Sequence, residues 1–428
     1  MTMKLSTTAQ QRRELEQLDS QHLGSLQLGK LNALMEQVLP RNKFYARKLA
    51  QCETQVSSLD QIADWPYTFK EELVGDLIAS GFATNLTLPI GSYSRFHRTS
   101  GTRGRPMVVL DTNEDWQWGI DTWQFVLDAA EIVPEDRIAM AFGFGPFIGF
   151  WSAFDAAVAR GAIVAPTGSM NTLARLELIR TLGATAIFCT PSYALHMAEV
   201  ARENQIEVGD LPVKRFVVAG EPGGSIPAIR NQIEEFWNAR VVDHSGASEV
   251  GPWGYADPQG RGVYVNESEF IAEFLSIETG KPADEGELSE LVLTNLGRWA
   301  SPVIRYRTGD LVRPTWNDDQ DCRFVLLQGG VLGRTDDMMI IRGVNIFPTS
   351  IEQILRSFPE IIEYRLTAFK EGSMDQLKIE IEDRLEEPQR VSRELKVRLG
   401  LRVDVLCVPV GSLPRFEAKG KRFVDERS

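Results

Sequence analysis

The chain is 428 residues long, 43% hydrophobic and 25% charged, with a formal net charge of −13 at pH 7. That length and apolar content can bury more than one core, so at least two domains are expected. The surplus of acid excludes a general nucleic-acid binder, which presents a basic face to phosphates. Cys52, Cys189, Cys322 and Cys407 are widely spaced, with no C-x-x-C pair and no histidine at metal-ligand spacing. They read as four free thiols in a reducing, cytoplasmic setting. Met1 to Leu5 leads into sequence rich in Gln, Arg and Glu rather than an apolar segment, so no secretory signal is expected there. The uncharged run over 138–154 contains Gly143, Gly145, Pro146 and Gly149 and stops at Asp155. It reads as a buried strand, a loop and a helix start, not a membrane span.

In chain order, periodicity predicts helices over 12–39 and 42–51. The run from Arg98 to Pro106 then packs Thr99, Ser100 and Thr102, the glycines Gly101 and Gly104, and Arg98, Arg103 and Arg105 into nine residues. Glycine admits positive φ and close backbone approach, while hydroxyls and guanidinium groups donate to anions, so the run suits a phosphate-holding loop. It is not a Walker A loop, because its hydroxyls come first; a basic hairpin turn would share the composition. A strand over 108–111 follows, then alternating helices and strands: helix 116–130, strand 137–142, helix 150–160, strand 162–164, helix 172–182, strand 186–188 and helix 192–203. Repeated strand-then-helix predicts a parallel sheet covered on both faces. The strand over 214–219 opens into Gly220-Glu221-Pro222-Gly223, a turn at a strand's carboxyl end, where ligands of open α/β sheets bind. Short alternating strands over 262–312 predict an antiparallel or barrel-like portion. Beyond Val331 to Gly333 a separate α+β lobe is expected, with a helix over 349–357, a strand over 376–381 and a helix over 388–399. The fold class is therefore α/β: a large domain over 1–332, with parallel βαβ layers and a barrel-like part, and a small α+β domain over 333–428, whose expected mobility rests on the resemblance given below. The smaller part holds 17 Lys plus Arg against 17 Asp plus Glu, so the surplus acid lies before it.

Four further segments follow the basic loop in order: Gly246-Ala247-Ser248-Glu249, Tyr306-Arg307-Thr308-Gly309-Asp310, Gly333-Arg334-Thr335-Asp336-Asp337 and Leu413-Pro414-Arg415-Phe416-Glu417-Ala418-Lys419. Together the five resemble the signature set of the acyl-adenylate-forming superfamily. Within it the chain is most similar to the phenylacetate-CoA ligase-type aryl-CoA ligases. That likeness rests on Ala219-Gly220-Glu221-Pro222-Gly223, Thr190-Pro191-Ser192-Tyr193, Arg342-Gly343-Val344-Asn345-Ile346-Phe347-Pro348 and Gly420-Lys421-Arg422-Phe423-Val424-Asp425. It spans the chain beyond about the first sixty residues.

The resemblance implies a two-step reaction in which a carboxylic acid attacks ATP to give an acyl-adenylate and a thiol then displaces AMP. Crowding anions together calls for cations and donors. Thr99, Ser100, Gly101, Thr102 and Gly104 would hold phosphates; Gly220, Glu221, Pro222 and Ser248 would line the nucleotide; Asp310 would accept from ribose hydroxyls; and Arg334 would add charge. Glu249 would ligate Mg²⁺ through oxygen. Lys419 would act on the adenylation transition state, Asp336 would be the hinge, and Arg342 and Gly343 would enter on the CoA side. Phe142, Phe144, Phe147, Gly246, Ala247 and Trp253 are the expected aryl pocket, flat rings beside small residues making a slot for a planar acid. ATP, Mg²⁺ and coenzyme A are the implied cofactors, with an aromatic carboxylic acid (benzoate-, anthranilate- or phenylacetate-like) as substrate. A carrier protein's phosphopantetheine arm is the alternative acceptor, and a catalytically silent nucleotide-binding module the alternative from another class. A homodimer is expected from the same likeness, nucleic-acid and membrane partners are not, and the cysteine-free stretch 257–269 predicts no structural zinc. Two positions depart from the pattern: Arg105 stands where lysine is common, and Ser245 where an aromatic usually flanks adenine, leaving His244 or another ring to substitute.

Overall fold

The computed structural model describes residues 4–74, 81–99, 106–143, 145–316, 321–337, 339–341, 344–371, 374–399, 403–415 and 422–427. Its largest sheet has nine strands. From edge to edge they are Pro314–Thr315, Leu326–Gln328, Gly262–Val265, Gly251–Ala256, Arg240–Ala247, Arg215–Val218, Ala186–Cys189, Arg137–Met140 and Ile163–Pro166. The last five run parallel, as the alternating pattern requires. Local chemistry sets the helices between them. Thr112 accepts from the Asp115 amide to start Asn113–Ala129, and Thr190 accepts from the Tyr193 amide to start Pro191–Glu203, whose proline sits where no N–H is needed. Gly161 and Gly183 end Ile148–Arg160 and Thr172–Leu182 in left-handed conformation. The parallel strands and these helices bury one apolar core that includes Ile138, Ile187, Phe188, Phe216 and Val242.

The antiparallel strands do not close on themselves. Gly251–Ala256 and Gly262–Val265 extend the large sheet, while Phe270–Ser276, Ser289–Asn295, Tyr306–Val312 and Gly333–Arg334 form a second, four-stranded sheet. The single helix expected over 12–39 is two, Ala9–Glu16 and Ser20–Val38, because the Asp19 carboxylate accepts from the His22 amide and begins a new helix. The second of these packs on the back of the four-stranded sheet through Leu31, Leu34, Ile271 and Ile304. Arg305 staples the following segment to this sheet. Its buried guanidinium pairs with Glu273 at 2.6 Å and donates to the Ala63 carbonyl at 2.7 Å. As a result Thr68 bridges to Tyr306, with Thr68 N donating to Arg305 O at 2.8 Å and Arg307 N to Thr68 O at 3.0 Å.

The C-terminal part has its own core, around Ile351, Tyr364, Ile379 and Leu395, under a four-stranded sheet of Asp404–Cys407, Met374–Asp383, Ile361–Glu371 and Phe423–Asp425. Gly333–Arg334 still pairs with Tyr306–Val312, so the chain leaves the second sheet at the 3-10 turn Thr335–Asp337. Among the described residues no helix is long and apolar enough to cross a membrane, and all four cysteines are unpaired.

Candidate active site

Strand Arg240–Ala247 leaves the parallel sheet at its carboxyl end, turns through Ser248, Glu249 and Val250, and returns as Gly251–Ala256. Arg298, 1% exposed, braces this turn by donating to the Ser248 carbonyl at 2.9 Å while Nε donates to Asp111 at 2.8 Å. Glu249 is buried. Its Oε1 accepts from the Tyr306 hydroxyl at 2.7 Å and lies 3.4 Å from Lys70 Nζ. Burial alone would push its carboxyl up, but the Lys70 ammonium and the Tyr306 hydroxyl outweigh that and hold it below the usual range, so it is ionised at neutral pH.

On Tyr306–Val312 of the second sheet, Asp310 faces Arg334 in register. Arg334 Nη1 donates to Asp310 Oδ1 at 2.9 Å and its Nε donates to Asp336 Oδ1 at 2.9 Å. Burial works against the guanidinium's charge, but the two carboxylates overcome it and raise its pKa. Gly309 makes the approach possible. Its φ is +75°, and a Cβ there would sit 2.9 Å from Arg334 Nη2. Three residues expected from two motifs, Asp310 from one and Arg334 and Asp336 from the next, are thus joined through one side chain, and Glu249 lies close enough to act electrostatically on Arg334 as well.

Thr99 sits at the base of the basic loop, where its backbone N donates to Met107 O at 3.0 Å and its hydroxyl oxygen accepts from Met107 N at 2.9 Å. That ladder, continuing the hairpin of Arg95–Arg98 with Val108–Asp111, closes the loop's neck. Gly220 adopts φ +92° and is exposed at the end of Arg215–Val218. Glu221 Oε1 accepts from the Ser192 amide at 2.7 Å, capping the neighbouring helix, and Pro222 follows, half-buried. A Cβ at Gly223 would come within 2.5 Å of Pro191, so this turn and the start of helix Pro191–Glu203 require each other. Ser100, Gly101, Thr102, Gly104, Phe144, Arg342, Gly343 and Lys419 lie outside the described residues.

The expected aryl-pocket residues are spread between two cores. Phe142 is 5% exposed and stacks on Phe150 with centroids 3.9 Å apart, within the core of the parallel sheet. Trp253, 1% exposed, packs in the second core with Val250 and Phe270 rather than standing at an opening. Phe147 caps Ile148–Arg160 and is 39% exposed. Gly246 and Ala247 end their strand, and a Cβ on Gly246 would meet Gly251 O at 3.1 Å and His244 Nε2 at 3.3 Å. His244 is buried against Trp123, 4.1 Å between centroids, and its Nδ1 contacts Gly254 O at 2.7 Å. Burial pushes its pKa down to about 4, so it is neutral with Nδ1–H as donor. In this position it is a core ring, not a free stacking platform.

Sequence reasoning passed over Lys70, Arg298 and the hydroxyl of Tyr306. Tyr306 opens a quoted motif, so its signal was at hand; Lys70 and Arg298 are ordinary cations in their local sequence, and only strand pairing brings them here.

A parallel sheet whose carboxyl ends meet a second antiparallel sheet, a small α+β lobe and a shared cluster of Glu249, Asp310 and Arg334 define an AMP-binding, adenylate-forming enzyme. Residues 343–427 match the model of the AMP-binding enzyme C-terminal domain. The chain is 31% identical to phenylacetate-coenzyme A ligase of Thermus thermophilus, over 97% of this chain and 99% of that protein. It is 30% identical to the Escherichia coli enzyme of the same name, over 97% of each. The chain therefore belongs to the phenylacetate-coenzyme A ligase family, and the likeness extends into the first sixty residues, further than its motifs implied. Among solved structures, 2-hydroxyisobutyryl-CoA ligase in the postadenylation state with 2-HIB-AMP matches at TM-score 0.91 and 26% identity, covering 98% of this chain and 94% of that one. The same ligase in the thioesterfication state, with 2-HIB-AMP and CoA, matches at 0.74 with 27% identity and the same coverage. The lobes of this chain are thus arranged as in the former.

Proposed function

We propose that this protein is an AMP-forming aryl-CoA ligase. A carboxylate oxygen of an aromatic acid attacks the α-phosphorus of ATP, the bond to pyrophosphate breaks, and an acyl-adenylate forms; the thiolate of CoA then attacks the acyl carbon and AMP leaves. The observation that carries this reading is that one strand, Tyr306–Val312, sets Tyr306 against Glu249 and Asp310 against Arg334. An ionised acceptor and a cation at one sheet edge suit a ribose and a phosphate side by side. The donor set at Glu249 fits Mg²⁺. Its oxygen ligand is hard and ionised, and among the described residues no cluster of three acidic, His or Cys side chains surrounds it. That suits an ion held by one carboxylate and by substrate phosphates, where it would offset their charge.

The remaining roles follow the same reading. Thr99 with Ser100, Gly101, Thr102 and Gly104 holds the terminal phosphates, and Gly220, Glu221, Pro222 and Ser248 border the nucleotide. Lys419 supplies transition-state charge in adenylation; the domain over 333–428 then turns about Asp336, bringing Arg342 and Gly343 to the thiol side. The aromatic acid lies beside Gly246 and Ala247, with Phe144 and Phe147 as surrounding rings and Phe142 and Trp253 behind them in their separate cores. Relatives named for phenylacetate at 30–31% identity over nearly the whole chain favour an aryl acid over a short hydroxy acid. ATP–pyrophosphate exchange against a panel of aryl acids and short fatty acids, followed by addition of CoA, tests the proposal. Exchange with an aryl acid and CoA-dependent AMP release is the expected result. Exchange only with fatty acids would overturn the substrate class, and exchange without CoA turnover would overturn the acceptor.

A further inference from the structure

A groove of about 320 Å³ separates the outer faces of helices Pro191–Glu203 and Pro227–Trp237 from the C-terminal lobe. It lies away from the Glu249 and Asp310 cluster, and its walls belong to different lobes. Five arginines line it, against three glutamates. Two of the arginines are already committed: Arg415 to the buried Glu382 at 2.6 Å, and Arg422 to Glu363 at 2.6 Å.

Arg356 is not. It ends helix Pro348–Arg356, is 6% exposed, reaches Glu352 only at 3.9 Å and lies over the Tyr364 ring at 5.0 Å. Among the described residues its guanidinium has no hydrogen-bond acceptor, although it carries five N–H donors. None of its nitrogens is both fully buried and unpartnered, so these donors open onto the groove that the residue lines. Two more guanidinium groups face the same space. Arg384, from the C-terminal lobe, is exposed and makes no side-chain ion pair among the described residues. Arg202, from the facing wall, is exposed, lies over the Phe236 ring at 5.2 Å and makes no side-chain ion pair among the described residues. Opposing them are Glu235, exposed at the rim, and Glu199, whose carboxyl burial pushes up against the pull of the Arg415 and Arg356 charges.

We propose that this groove binds a phosphate-bearing anion, either free pyrophosphate or a phosphate monoester carried on a nucleotide, with Arg356 as the anchor and Arg384 and Arg202 closing on it from the two lobes. Planar guanidinium forks match phosphate oxygens two at a time, and three of them around one space make a site where a single lysine would not. Because Arg202 is on one lobe and Arg356 and Arg384 are on the other, the site exists only while the lobes stand as they do here. An occupant therefore holds this arrangement. That consequence rests on the proposed lobe motion; the binding itself does not.

Calorimetric titration of the full chain with inorganic phosphate, pyrophosphate and adenosine 3′,5′-bisphosphate tests the site. Binding is expected to weaken about tenfold in Arg384→Met and in Arg202→Met, one charge-assisted contact each, and to disappear in Arg356→Met. Arg384 and Arg202 are exposed, so their variants stay informative even if Arg356→Met fails to fold. Tighter binding of the bisphosphate assigns the groove to a nucleotide-borne phosphate, and tighter binding of pyrophosphate to the free diphosphate. No binding of any probe at millimolar concentration, or binding indifferent to Arg384 and Arg202, overturns the proposal.

Discussion

Lys70 Nζ stands 3.4 Å from Glu249 Oε1, the same oxygen that accepts from the Tyr306 hydroxyl, although the three residues are far apart along the chain. The ammonium is delivered by the bridge between Thr68 and Tyr306, so the residue that donates to Glu249 and the residue that carries the cation to it belong to paired backbone. A cation fixed at the carboxylate proposed to hold Mg²⁺ would belong to the charge balance of adenylation. Lys70→Met should lower ATP–pyrophosphate exchange about a hundredfold, the cost of removing one preorganised donor. Thioester formation from supplied acyl-adenylate should stay near wild type, and rapid-quench measurement of the two half-reactions separates these outcomes; equal loss in both would assign Lys70 to folding instead.

Asp310→Asn keeps the shape and removes the charge that Arg334 and a ribose would share. A charge-assisted hydrogen bond is worth about 1.5–3 kcal/mol, so the KM for ATP should rise about tenfold or more. Arg334 retains Asp336 at 2.9 Å, so the melting temperature should change little. Steady-state kinetics beside a thermal melt checks both statements.

Lys419→Ala should divide the reaction. Pyrophosphate exchange should fall by about two to three orders of magnitude, while CoA-dependent release of AMP from added acyl-adenylate should remain within about twofold. Equal loss of both half-reactions would refute the lobe alternation and Lys419's place in it.

Stability should fall as pH rises through the neutral range. Burial lifts the Glu267 carboxyl to about 7, only partly countered by the Val325 amide that donates to it at 2.6 Å. Below about pH 4.5 folded and unfolded chains both hold the proton and the contribution is complete. Above it the unfolded chain releases its proton first, and stability is lost until the folded group titrates near 7. At about 1.4 kcal/mol per pH unit the loss is at most about 3.5 kcal/mol. Glu16 and Asp115, also raised to about 7 by burial, act with the same sign. The melting temperature should therefore drop between pH 5 and pH 8, and less steeply in Glu267→Gln.

Much of this molecule is legible along the chain. Helices Thr172–Leu182 and Pro388–Leu399 fall on their expected residues, because apolar spacing and capping residues act within one turn. The strand-then-helix alternation carries the parallel sheet, and the ordered motifs carry the family. The first helix was misjudged where Asp19 interrupts an otherwise continuous apolar periodicity. The antiparallel part was legible too, but not its division between two sheets, because periodicity says that a strand has a buried face and not which sheet it joins.

The sequence by itself determined the elements, the chemistry available at each motif and the family to which the chain belongs, since propensity, capping and residue type are local properties. Only the tertiary structure decided that Arg334 would hold Asp310 and Asp336 together, that Lys70 would reach Glu249, and that Phe142 and Trp253 would pack in separate cores. Hydrogen bonds and ion pairs act over about 3 Å of space, and which side chains come that close depends on strand order and register rather than on distance along the chain.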